Sequence, residues 1–218
     1  MKSNSELQRD VADELRWQPS VREAEIGVAA KDGVVTLTGT VDSFAQKLAA
    51  ERAAKAVLGV RAVAEELVVK LPFSSTRTDT EIAHAAVNAL KWNTEVPADR
   101  LSVVVEGGWV TLSGEVDHQF QRSTADEVVR CLTGVTGMSN AITVKFTKAS
   151  AFEVNAAIKK ALKRSATVDA DRISVTSTDG KVVLSGTVRS WAERLDAEDA
   201  AWSAPGVFVV DDRIAVGV

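Results

Sequence analysis

Residues 26–41 read IGVAAKDGVVTLTGTV, and the same hairpin returns at 101–116 as LSVVVEGGWVTLSGEV and at 173–188 as ISVTSTDGKVVLSGTV. In each, apolar and polar residues alternate on both sides of a two-residue turn, which is the pattern of two strands with one buried face. The turn is Asp32-Gly33, Gly107-Gly108 or Asp179-Gly180. Asp-Gly and Gly-Gly suit a type I′ turn, whose two central residues both need positive φ. The turn glycines Gly33, Gly108 and Gly180 are followed by Gly39, Gly114 and Gly186, and both series step by 75 and then 72 residues. A fixed period of this kind marks a repeat protein.

Working outward from the hairpin, the flanking segments repeat in the same register. Upstream lie Ser3 with Glu6, Thr78 with Glu81 and Ser150 with Glu153. Each pair is a capping box, followed at helical spacing by Leu7, Val11 and Leu15, by Ile82, Ala86 and Leu90, or by Val154, Ile158 and Leu162. Strand one turns Ile26 and Val28, Leu101 and Val103, or Ile173 and Val175 inward. Strand two turns in Val35, Leu37 and Val41, with Val110, Leu112, Val116 and Val182, Leu184, Val188 as counterparts. Gly39, Gly114 and Gly186 share that inward phase. A glycine there marks close approach by another backbone, and the expected neighbour is the helix that follows.

That second helix starts near Ser43, His118 and Ser190, with Ser43–Gln46 and Ser190–Glu193 as capping pairs. Its expected inner stripe is Ala45, Leu48, Ala49, Ala53, Ala56 and Val57 in the first copy and Phe120, Val128, Cys131 and Leu132 in the second. Gly59, Gly134 and Gly206, each followed by Val, are expected just past the helix end. A last strand follows: AVAEELVVK, GMSNAITVK or VVDDRIAV. The fold class is therefore α+β: three tandem αββαβ domains, each a three-stranded mixed sheet with two helices packed on one face. The expected boundaries are 1–72, 76–147 and 149–218, with short linkers LPFSSTR and FTKAS. Domains of about 70 residues bury so little surface that each is marginal alone, so contact between them is expected.

The segments VTLTGTV (35–41) with LGV (58–60), VTLSGEV (110–116) with TGV (133–135), and VVLSGTV (182–188) with PGV (205–207) resemble the BON domain. That module is named for bacterial osmotic-stress and nodulation proteins, and the resemblance covers nearly the whole chain. It implies a non-enzymatic binding protein associated with envelope stress, contacting phospholipid membrane surfaces or envelope and stress proteins. A scaffold or chaperone-like adaptor for protein clients, independent of lipid, is the alternative expectation. The resemblance implies exported proteins, many with two copies; this chain has three copies and no apolar leader at MKSNSELQRDVADEL.

Composition narrows the classes. The net charge is −4, from 26 basic and 30 acidic residues, with no basic tail. Binding of nucleic acid by phosphate neutralisation is not expected. No apolar run reaches the ~18 residues of a membrane span. The chain reads as soluble and cytoplasmic as it stands; one whose leader had been removed would read the same and belong in the periplasm.

Neither a cofactor nor a metal site is expected. His84 and His118, the two histidines, lack partners at ligand spacing and read as surface or capping residues. Cys131, the single cysteine, aligns with Ala56 and Ser203 and reads as a small buried thiol. Gly107-Gly108 is a turn and not a phosphate loop, since neither lysine nor helix start follows. Aromatic residues where the copies differ are the candidate contacts. Trp109, after the middle turn, and Trp202, aligned with Lys55 and Arg130, are expected to be exposed. Phe44 and Trp191, aligned with each other near the start of the second helix, and Phe73 in the first linker join them as candidate contacts, while packing between domains is the competing expectation. Trp17 and Trp92 share the end of the first helix.

Overall fold

The computed structural model describes residues 2–146, 150–165 and 168–217. Met1, Val218, most of the second linker (147–149) and residues 166–167 lie outside them. The first repeat comprises α1 (Asn4–Trp17), β1 (Ile26–Lys31), β2 (Val34–Val41), α2 (Phe44–Ala56) and β3 (Ala62–Val69). The second comprises α3 (Asp79–Trp92), β4 (Leu101–Glu106), β5 (Trp109–Val116), α4 (Gln119–Arg130) and β6 (Gly137–Val144). The third comprises α5 (Ala151–Arg164), β7 (Ile173–Thr178), β8 (Lys181–Val188), α6 (Trp191–Trp202) and β9 (Val209–Val216). The hairpin strands are antiparallel, and the last strand joins the second in parallel, so β2, β5 and β8 are central. Each sheet buries one face under its two helices, because the apolar residues fall on one side of every strand.

The periodicity names the core. Leu7, Val11 and Leu15 on α1 and their counterparts on α3 and α5 are buried, as are the three inward residues of each central strand. The hairpin turns have φ of +51° and +81° at Asp32 and Gly33, +58° and +77° at Gly107 and Gly108, and +47° and +75° at Asp179 and Gly180. These are the signs a type I′ turn requires. A single 3-10 turn precedes each first strand, at Glu23–Glu25, Ala98–Arg100 and Ala170–Arg172.

Those turns correct the reading of the second glycines. A Cβ at Gly39, Gly114 or Gly186 would strike the carbonyl of Glu25, Arg100 or Arg172. The close backbone belongs to the 3-10 turn of the same repeat and not to the following helix. The three glycines also have φ of +122° to +135°, a region L side chains rarely adopt. Gly59, Gly134 and Gly206 lie beyond the helix cap. Each is third in a four-residue turn closed by Val60, Val135 or Val207 donating to Val57, Leu132 or Ala204. Positive φ at that glycine, but not at the residue before it, makes these type II turns.

Three further expectations change. Ser3 and Thr78 form their capping boxes, but Ser150 makes no side-chain cap bond. The buried side of the second helix includes the expected Ala49 and Ala53 but is centred on Ala50 and Ala54, Ala125 and Val129, and Ala197 and Ala201; Ala56 and Phe120 are exposed. Cys131 is exposed as well, because it falls just past the end of α4, off that stripe.

Candidate functional site

The repeats meet through equivalent positions. The first residue of the second helix is Phe44, Gln119 or Trp191. Phe44 packs against the core of the second repeat, and Trp191 against the core of the first. Gln119 lines a cleft whose far wall is the 202–207 segment of the third repeat. Phe208 of the third repeat also packs on the second-repeat core and meets Phe146 edge-on, with centroids 5.1 Å apart. Each repeat thus docks on the next and the third returns to the first, the closure expected of head-to-tail interfaces.

Two clefts show the equivalence. Between the third and first repeats, Arg189, Val216 and Gly217 face Leu58 and Gly59. Between the second and third, Asp117, Val144 and Lys145 face Pro205 and Gly206. Apart by 72 or by 147 residues, these are the same positions in successive repeats. At the third–first junction the indole of Trp191 lies between Lys55, its ammonium 5.0 Å from the ring centre, and Arg194, 4.8 Å away. Beside it the buried Glu193 accepts from the Arg189 backbone N–H at 2.9 Å and from its Nε at 2.7 Å.

The predicted contact residues are therefore divided. Phe44 and Trp191 are taken up between repeats. Trp202, expected to be exposed, is half-buried: it packs on the third-repeat core, lines the cleft and donates its indole N–H to Glu198 at 3.3 Å. Trp109 is 49% exposed, lies over Gly137, its pairing partner on β6, and donates to Ser139 at 3.1 Å. Phe73 is 99% exposed on the first linker.

Two residues that sequence reasoning left without a role stand furthest out. Trp17 and Trp92 are 82% and 87% exposed. Each follows the last buried leucine by two residues, which turns it to the opposite side of the helix; that spacing was the available signal. The corresponding end of α5 carries Lys159, Lys160, Lys163 and Arg164, grouped around one shallow depression.

His84 and His118 are exposed, and His118 stacks on Phe120 at 5.6 Å. Among the described residues no group of three His, Cys, Asp or Glu is placed to hold a metal ion. No helix among them is long and apolar enough to cross a membrane.

The geometry is that of three copies of one module, and a family model matches each copy. The BON domain model matches residues 3–70, 78–145 and 150–218. The chain belongs to the BON domain family. A BON relative, osmotically-inducible protein Y of Escherichia coli strain K12, is 31% identical over 130 residues, 58% of this chain and 65% of that protein. The chain thus spans just under two thirds of the length of that relative. Two structures of CdsD, a structural protein of the type III secretion system of Chlamydia trachomatis, align over 97% and 100% of this chain and 92% and 100% of theirs. Their identities are 17% and 16% and both TM-scores are 0.28, too low to carry over fold or function.

Proposed function

We propose that this BON protein is a binding protein without catalytic chemistry that engages phospholipid membrane surfaces through one rim of its ring of repeats. The observation that carries the reading is the pair Trp17 and Trp92, exposed at equivalent positions at the ends of α1 and α3. In a closed ring of equivalent interfaces, equivalent positions share one rim. The third corner of that rim is Arg164, with Lys159, Lys160 and Lys163 beside it. Tryptophan favours the headgroup layer because its ring is apolar and its N–H polar. Each Lys or Arg near an anionic surface adds about 1 kcal/mol of attraction. A chain of net charge −4 therefore holds a local basic patch at the third corner of the rim whose other two corners carry the aromatic anchors. Phe73 and Trp109 remain available as further contacts, on the linker and on the sheet's outer face. The name of the osmotically-inducible relative supports an osmotic-stress setting.

Co-sedimentation with vesicles, with and without anionic lipid, tests this. Binding to anionic vesicles at low salt is expected, declining as salt screens the α5 cations. The double variant Trp17→Ala/Trp92→Ala should cut partitioning about tenfold or more, equivalent to ~1.4 kcal/mol. Absence of binding to either vesicle at low salt would overturn the reading and leave the protein-adaptor alternative.

A further inference from the structure

The cleft between the second and third repeats is a second candidate binding site, independent of the membrane rim. Its volume, about 580 Å³, lies within the range of small-molecule sites. Its composition is best read against the equivalent third–first junction. There the indole of Trp191 receives the Lys55 ammonium from the last turn of α2. At the second–third junction the aromatic ring has moved to the other side of the junction. Trp202 stands at the position of Lys55, and Gln119 stands at the position of Trp191. The aromatic ring is present, and among the described residues no cation lies over it.

Three features mark the missing cation. The last turn of α6 carries no basic residue, whereas α2 has Lys55 and α4 has Arg130 there. The negative end of the α6 dipole is thus uncompensated. Asp199 lines the cleft from that same turn and, among the described residues, has no hydrogen bond or ion pair to its carboxylate. Across from it, Gln119 Oε1 is buried without a donor. Of the other charged groups on the wall, Asp117 is bound to Arg100 at 2.8 Å and Glu127 to Arg130 at 3.1 Å. Among the described residues, Lys145, just past β6, is the one lysine or arginine on the wall. An unpaired carboxylate and an unsatisfied amide oxygen both call for N–H donors, and the Trp202 and Phe120 rings with Val207 suit an apolar stem.

We propose that this cleft binds a primary alkylammonium group on an apolar stem, held between Asp199, Gln119 Oε1 and the Trp202 ring. A free diamine and a lysine side chain of a partner share that chemistry.

The test is a titration of the whole chain followed by the Trp202 indole N–H resonance. The probes are 1,4-diaminobutane, an N-acetyl-lysine amide and tetramethylammonium. A saturable shift with one or both amines is expected, with the stronger of the two identifying the source. Tetramethylammonium, which has no N–H to offer Gln119 or Asp199, should bind at least about tenfold more weakly. Asp199→Asn should weaken amine binding by about tenfold or more, and Gln119→Leu should weaken it too, with both variants folded by their melting curves. The proposal is overturned if neither amine gives a saturable shift, if tetramethylammonium binds as tightly, or if Asp199→Asn leaves amine binding unchanged.

Discussion

Gly114 shows how one atom can be excluded by local backbone. A Cβ there would meet the Arg100 carbonyl and the Leu101 side chain, and its φ of +131° is itself unfavourable for any L side chain. Gly114→Val should lose ~2 kcal/mol or more, since overpacking a filled contact and straining the backbone each cost 1–3 kcal/mol. A wild-type melting temperature for that variant would show that the 3-10 turn yields freely. Asp199 gives a prediction of opposite sign. Burial first, and the charge of Asp196 second, push its carboxyl above the usual carboxylate range. Folding then favours the protonated form, so its contribution is full below the unfolded value of about 3.9 and is lost as pH rises through the folded value. Asp199→Asn should therefore melt higher than wild type at pH 7, and the gain should vanish below about pH 4. A gain that persisted undiminished in acid would show that charge burial is not its source.

At the scale of the element, the first helices share a sequence signature but not a cap. Hydrogen bonds from the backbone and side chain of Ser3 and of Thr78 hold the Glu6 and Glu81 carboxyls below the usual range. Their stabilising share is present above the unfolded value and is lost as pH falls through the folded one. Thr78→Ala should cost about 1 kcal/mol, the usual loss for an N-cap. Ser150→Ala should cost little, because Ser150 makes no such bond. Equal losses in the two variants, measured by denaturant unfolding, would contradict the difference. The second helix marks its buried side less plainly in sequence. α2 is rich in alanine, which marks no side, so Ala50 and Ala54 fall outside the expected stripe although they are its most buried members. In α4 the exposed Phe120 misdirected the phase away from Ala125 and Val129, which are fully buried.

At the scale of the molecule, stability is shared around the ring. Each repeat is small enough to be marginal by itself, and Trp191 joins two cores while covered by Lys55 and Arg194. Trp191→Ala should cost roughly 3 kcal/mol, near the lower end for large aromatic truncations. It should also separate the unfolding of the first and third repeats, visible in calorimetry as a broadened or split transition. A single transition at the wild-type temperature would mean that this junction contributes nothing to cooperativity.

The amino-acid order alone determined the repeat, its αββαβ units, the hairpin turns and the buried sides of the first helices and central strands. Those are local matters: a period of two or 3.6 residues, a turn that demands positive φ, a cap three residues from its partner. It did not reveal which tryptophans are free. Trp17, Trp92, Trp109, Trp191 and Trp202 are chemically alike, and each lies where its own repeat leaves it near the surface. Only the closing of the ring decided that Trp191 is covered, that Trp202 lines a cleft, and that Trp17 and Trp92 stay 82% and 87% exposed. The cause is that burial between repeats depends on a second repeat about 75 or 150 residues away in sequence, and no periodicity within one repeat records which of its faces that neighbour will cover.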